Sequence, residues 1–299
     1  MIKRSFALAA GLAFGSTACG SSKPLASSPP IALAETSVPS ADGVPIHYVA
    51  EGSGPAVVLS HCLDCNLHYW DVVAVDLARD HRVVRLDLAG DGRSGSGRQT
   101  WTVDGFAADI LAVVNAAGVD EFTLVGHSIS GTIALDVASK LGERVAGVVP
   151  VDSVLDAELR LPAEARIKVL EQIRTDYRNF IDQQLPNLLP KNPEPKLVAR
   201  VRGDALAAAP DRVAGILEAI WSYREDLTLD HLAMPIVAID SDLRPLALER
   251  NRAHAPQFDA RILRGTSHWL MLDEPIQFAS TLRDVIESIE LGKAKRRPG

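Results

Sequence analysis

In this 299-residue chain, the residue best placed to act as a nucleophile is the serine in Gly126-His127-Ser128-Ile129-Ser130-Gly131. A serine hydroxyl attacks poorly at neutral pH. It needs an exposed position, a base to take its proton and donors for the developing oxyanion. Phe122-Thr123-Leu124-Val125 reads as an apolar strand and a helical pattern follows the motif, so Ser128 lies on a strand–turn–helix elbow. Such a turn forces an unfavourable backbone at the nucleophile. It also brings helix and strand so close that the residues two away must be small. Gly126 meets this condition, while Ser130 stands where glycine is usual. Ser130 fits worse as the nucleophile, because its own flanks are Ser128 and Thr132.

Cys62 and Cys65 form a second group, spaced C-x-x-C and flanked by His61 and His68. In an oxidising compartment the pair can close a disulfide; otherwise both are buried thiols. Zinc usually needs a second ligand cluster. The only other cysteine is Cys19 and the remaining histidines are scattered, so no metal is expected. A redox role would rest on one C-x-x-C without a thioredoxin-like context.

The elements that must position these residues alternate. Residues 44–50, 56–60, 82–87, 121–126, 145–151, 236–240 and 260–263 read as short strands. Residues 103–118 carry Phe106, Ile110, Val113 and Val114 at helical spacing. Residues 131–140 form another helix, with Ile133, Val137 and Leu141 on one face and Gly142 as its stop. Pro275 opens a last helix, with Phe278, Leu282, Val285 and Ile289 facing inward. Apolar strands alternating with helices mean a mostly parallel sheet covered on both faces. The alternation breaks between Asp156 and Met234, in a helical stretch punctuated by prolines and too long for a loop. It reads as three or four inserted helices.

In this order and spacing the chain resembles the α/β-hydrolase fold family, over roughly residues 36–290. Val58-Leu59-Ser60-His61-Cys62-Leu63 resembles the family's oxyanion loop after the third strand, and residues 61–70 resemble an HGWSC…W variant of it. Asp87-Leu88-Ala89-Gly90-Asp91-Gly92-Arg93-Ser94-Gly95 resembles the D-x-x-G-x-G-x-S loop after the fourth. Cys62 stands where glycine is usual, and Asp91 where histidine is usual.

The resemblance implies an eight-stranded, mostly parallel α/β sheet with helices on both faces and an inserted helical cap. The core is expected at 36–155 and 233–290, and the cap at 156–232. It implies the chain order serine, acid, histidine. His268 follows the last strand in Gly265-Thr266-Ser267-His268-Trp269 and is the expected base. For the acid, Asp242 is the first choice, after the strand at 236–240. Asp152, after the preceding strand, and Asp240 stay open as alternatives. His61, His127, His231 and His254 are expected in other roles. The oxyanion donors implied are the N–H groups of Leu63 and Ile129. Trp221 and Tyr223 in the cap, and Trp269 beside the base, are candidates to line a substrate pocket. A loop-stabilising role is expected of Asp64.

Composition is that of a globular chain, 47% hydrophobic and 23% charged. With 31 basic against 38 acidic residues the formal charge is −7, which argues against nucleic acid as the main partner. Lys3 and Arg4, an apolar stretch at 5–15 and Ser16-Thr17-Ala18-Cys19 read as a secretory signal with a lipobox. Residues 1–19 are therefore expected to direct export, and Cys19 to carry a lipid facing the periplasm or cell surface. Residues 20–35 form a Ser/Pro-rich linker and 291–299 a basic tail. The membrane would be met only through that anchor.

The expected activity is hydrolysis of a small ester or lactone by a monomer or dimer, without a cofactor. A haloperoxidase-like or C–C hydrolase activity on the same three residues stays open. A non-catalytic binding lipoprotein is the rival class, disfavoured by the intact Ser, His and Asp.

Overall fold

A computed structural model describes residues 34–296, so the signal, Cys19 and most of the linker lie outside the described residues. Eight strands form one sheet: β1 (Ala34–Pro39), β2 (Pro45–Gly52), β3 (Ala56–Ser60), β4 (Arg82–Leu86), β5 (Phe122–His127), β6 (Val145–Val151), β7 (Ile236–Ser241) and β8 (Phe258–Leu263). Their spatial order is β1-β2-β4-β3-β5-β6-β7-β8. β2 runs antiparallel to β1 and β4, and all later pairings are parallel. This is the architecture expected from the sequence. β1 was not legible there, because it begins within the linker and is a mostly exposed edge strand.

Side chains alternate across the sheet, and each face has its own apolar layer. Val58, Leu124, Val148 and Ala238 pack under α2 (Val103–Ala116) and α3 (Ile129–Leu141). Val57, Leu59, Val125, Val149 and Ile239 pack on the other face. They meet α1 (Asp71–Leu77) and a long C-terminal helix, Pro275–Arg296, through Val73, Leu77, Phe278, Leu282 and Val285. That helix runs on past 290, so residues 291–296 are helix rather than a separate tail.

The insertion after β6 holds five α-helices, α4 (Ala163–Thr175), α5 (Tyr177–Gln184), α6 (Pro195–Leu206), α7 (Pro210–Ser222) and α8 (Glu225–Leu229), and a short 3-10 helix at Leu185–Leu188. Proline at the first turn of α6 and α7 suits a position whose N–H has no helical partner. Leu170, Ile173, Tyr177, Phe180, Val213 and Ala214 give the insertion an apolar core, on which Leu63 of the sheet domain also packs. α9 (Leu248–His254) and α10 (Leu270–Asp273) flank β8, and the C-terminal helix is α11. No helix among the described residues is long and apolar enough to cross a membrane.

Candidate active site

The candidate residues converge at the C-terminal ends of the parallel strands, where open α/β sheets bind ligands. Ser128 links β5 to α3 with φ 57° and ψ −120°, a backbone that L-residues rarely adopt. The close approach expected there is visible at two glycines. A Cβ at Gly126 would lie 2.1 Å from the Ser130 carbonyl oxygen, and one at Gly131 would lie 2.2 Å from Ser153 Oγ. Ser153 also donates to the Ser128 carbonyl at 2.6 Å, bracing the elbow from the loop after β6.

Ser128, Ile129, Leu63, His268, Trp221 and Trp269 all line one cavity of about 320 Å³ between sheet and cap. Phe180, Leu185, Val213 and Leu217 of the cap complete an apolar wall. Three sequence expectations, for Trp221, Trp269 and the cap itself, meet at this cavity. Tyr223 is elsewhere: its hydroxyl donates to Asp136 on α3 at 3.0 Å.

The acid beside His268 is Asp152, not Asp242. His268 Nδ1 lies 2.5 Å from Asp152 Oδ2. Asp152 Oδ1 accepts from the Ser241 N–H at 2.9 Å and the Ser241 hydroxyl at 2.7 Å. Arg244 Nη2 adds a contact to Oδ2 at 3.2 Å. Burial opposes the charge on Asp152, but the hydrogen bond and charge of His268, then Ser241 and Arg244, hold its carboxyl well below the usual range.

Asp242 is exposed and accepts from the Gly265 N–H at 2.7 Å, so it shapes the turn leading to His268. The physical reason lies in register. β7 extends through Ser241, and Val151 pairs with Ile239, which sets Asp152 level with Asp240 at the sheet edge. Asp242 lies beyond that row. Asp240 is fully buried, and burial together with the neighbouring Asp152 charge pushes its carboxyl well above the usual range.

The other histidines have structural surroundings. His61 donates from Nδ1 to the Cys62 carbonyl at 2.7 Å and accepts the Leu88 N–H at Nε2 at 2.9 Å. His127 Nε2 donates to the His268 carbonyl at 2.7 Å, and the two rings lie 4.7 Å apart. Burial, reinforced by His268, holds His127 neutral. His254 is paired with Asp230 and Glu158 on the surface.

The loop carrying Leu63 is tied from several sides. Ser130, the departure from glycine, donates from Oγ to the His61 carbonyl at 2.5 Å and meets Ser60 Oγ at 2.9 Å. Cys62 and Cys65 are joined by a disulfide, the first of the two alternatives left by the sequence. Asp64 has φ 58° and a carboxylate bonded to Tyr177 and Arg212 of the cap. Among the described residues no cluster of His, Cys, Asp or Glu is arranged to hold a metal ion. Sequence reasoning missed Ser153, Ser241, Arg244 and Arg212, since isolated serines and arginines carry no spacing signal.

Comparison with known proteins bears on the fold and the family. In Azorhizobium caulinodans a protein named RutD, for carbamate hydrolysis, is 32% identical over 127 residues, 42% of this chain. This chain spans about half of that relative's length, 48%. A thermophilic esterase from Thermogutta terrifontis superposes with a TM-score of 0.75 at 22% identity, covering 85% of this chain and 98% of that one. An enol-lactonase from Burkholderia xenovorans superposes with a TM-score of 0.72 at 20% identity, covering 84% and 99%. The family model described as alpha/beta hydrolase fold matches residues 55–232, more than half of the chain. This protein belongs to the α/β hydrolase fold family.

Proposed function

We propose that this protein is a serine hydrolase that cleaves a small carboxylic ester or lactone through an acyl-enzyme on Ser128. The observation that carries the reading is that Ser128 and His268 line the same cavity, with His268 Nδ1 on the ionised Asp152. With Nδ1 so engaged, Nε2 is the nitrogen left to take the Ser128 proton. Ser128 Oγ attacks the substrate carbonyl, and the negative charge moves to the carbonyl oxygen. The N–H groups of Leu63 and Ile129 bind that oxyanion. His268 then gives its proton to the departing alkoxide, and Asp152 balances the imidazolium in between. Water, deprotonated by His268, attacks the acyl carbon and frees Ser128.

The substrate class follows from the walls. About 320 Å³ is at the small end for ligand cavities. Its charged lining residues are Asp64, already bonded to Arg212, and Arg244, beside Asp152. An uncharged ester or lactone with a compact apolar group fits this lining. The esterase and lactonase among the structural neighbours, and the relative named for carbamate hydrolysis, agree with acyl transfer to water. Export with a lipid on Cys19 belongs to the same proposal.

The test is labelling by a fluorophosphonate probe, followed by a panel of short-chain esters and lactones. Wild type should be labelled on Ser128 and should hydrolyse members of the panel, and Ser128→Ala should lose both while remaining folded. Equal labelling of the variant would place the nucleophile elsewhere.

A further inference from the structure

The chain departs from the family's pattern at Cys62, at Ser130 and at Asp91, and all three positions converge on the loop that carries Leu63. Ser130 fixes the loop's start through the His61 carbonyl. The Cys62–Cys65 disulfide closes a ring with only Leu63 and Asp64 between its ends. Asp91 reaches the loop indirectly, through the cap. Arg212 on α7 pairs with Asp64 through Nη2, and with Asp91 through Nη1 at 2.9 Å. The side chains of Arg212, Asp64 and Asp91 are 9%, 7% and 6% exposed, so one guanidinium is buried between two core carboxylates. Tyr177 on α5 adds a second cap donor to Asp64 at 3.0 Å.

This arrangement is too costly to be incidental. Taking charges out of water is repaid only with good geometry and saturated hydrogen bonds, and here Arg212 Nη1, although within ion-pair distance of Asp91, and Asp91 Oδ2 have no hydrogen-bond partner. Exposed ion pairs elsewhere in the cap, such as Arg202–Asp182, hold helices together at no such cost. The Arg212 pairing differs in what it touches. Asp64 adjoins Leu63 inside a four-residue covalent ring. A shift of the Asp64 carboxylate therefore moves the Leu63 N–H rather than dissipating along a flexible loop.

We propose that Arg212 is a positioning residue: by gripping Asp64 from the cap and bracing on Asp91, it sets the Leu63 N–H, so the oxyanion hole is complete only with the cap seated. This rests on the serine-hydrolase reading above. An apolar substrate that draws α5 and α7 onto the cavity thereby also aligns a donor for the oxyanion. The binding energy of the non-reacting part is then expressed at the reacting centre.

The experiment measures kcat, KM and fluorophosphonate labelling rate for wild type, Arg212→Met, Arg212→Lys, Tyr177→Phe and the control Arg202→Met. Arg212→Met keeps the apolar stem and should lower kcat about 10- to 100-fold, as expected of a displaced oxyanion donor. KM should stay within about threefold, and labelling should slow in parallel with kcat. Arg212→Lys, which keeps the charge on Asp64 but cannot fork to Asp91, should recover part of the loss. Arg202→Met should match wild type.

A folded Arg212→Met with kcat within twofold of wild type, or with the loss confined to KM, overturns the proposal. If Arg212→Met fails to fold, Tyr177→Phe decides: a several-fold fall in kcat at constant KM supports the proposal, and an unchanged kcat overturns it. Wild type that neither labels nor hydrolyses would instead sink the hydrolase reading itself.

Discussion

Asp152 and Asp64 are both hidden from water, yet they are opposite in charge behaviour. Asp152, 1% exposed in its side chain, gathers four donors from His268, Ser241 and Arg244. Asp64 takes two, from Tyr177 and Arg212, and shares the second with Asp91. Burial raises both carboxyls. At Asp152 the donors win, and the group stays ionised. At Asp64 burial wins over Arg212 and Tyr177, pushing the carboxyl up to about 6. Asp91, buried against the same guanidinium, is pushed well above its usual range. Depth in the protein therefore does not decide whether a carboxylate is an anion; the number of donors aimed at it does. The first site holds a lasting anion beside His268. The second is a joint whose charge can change.

The sharpest way to break this comparison is Asp152→Asn. Losing the anion and turning His268 to the wrong tautomer should lower kcat about 10⁴-fold, with the fold retained. A variant that keeps wild-type turnover would leave Asp152 as a loop brace and nothing more.

The second site should show itself in stability against pH. The ordinary carboxyl value is 3.8 and the folded value of Asp64 about 6, so between these the folded chain keeps a proton that the unfolded chain has released. The stabilisation is complete below about pH 4 and lost as pH rises through 6, by up to roughly 3 kcal/mol. Asp91, Asp87, Arg212 and Tyr177 face the same joint. Urea titrations from pH 4 to 7 should show a wild-type-minus-Asp64→Asn difference that declines with rising pH. A difference that grows would mean that Asp64 is ionised throughout.

Reduction of Cys62–Cys65 should loosen the ring around Leu63. The expected fall in kcat is about tenfold, a fraction of what outright loss of an oxyanion donor costs. Stability should drop by no more than about 2 kcal/mol, since so short a ring restricts few unfolded conformations. Thiol titration alongside the assay makes the result decisive: two titrated thiols with undiminished kcat would remove the ring from the joint. The smallest effect belongs to Asp242→Asn, which touches only the Gly265 turn and should change kcat less than about threefold. A collapse there as deep as that of Asp152→Asn would return the acid to the loop after β7.

Much of the molecule was legible in the chain because its signals are local. The elbow at Ser128 needs small neighbours within two residues, and Gly126 announces it. The sheet's strands are short apolar runs, and α2, α3 and α11 carry a 3.6-residue stripe. β1 escaped notice because an exposed edge strand needs no such run. The acid beside His268 was ranked second, behind Asp242, for another reason. Asp152, Asp240 and Asp242 all sit at strand ends, where a carboxylate is chemically plausible, and spacing along the chain ranks them without regard to register.

The amino-acid sequence alone determined the fold class, the elbow at Ser128, the histidine after the last strand and the presence of a cap, since each is written in contiguous residues. Tertiary structure alone decided which aspartate meets His268, because that depends on how β6 and β7 slide past each other and on where Ser241 and Arg244 aim their donors. It also decided that Arg212, 148 residues from Asp64, is the cation on the loop that carries Leu63. A buried charge has no periodicity to betray it. Its partner is whichever opposite charge the packed cap brings within reach, and that is a property of the folded chain.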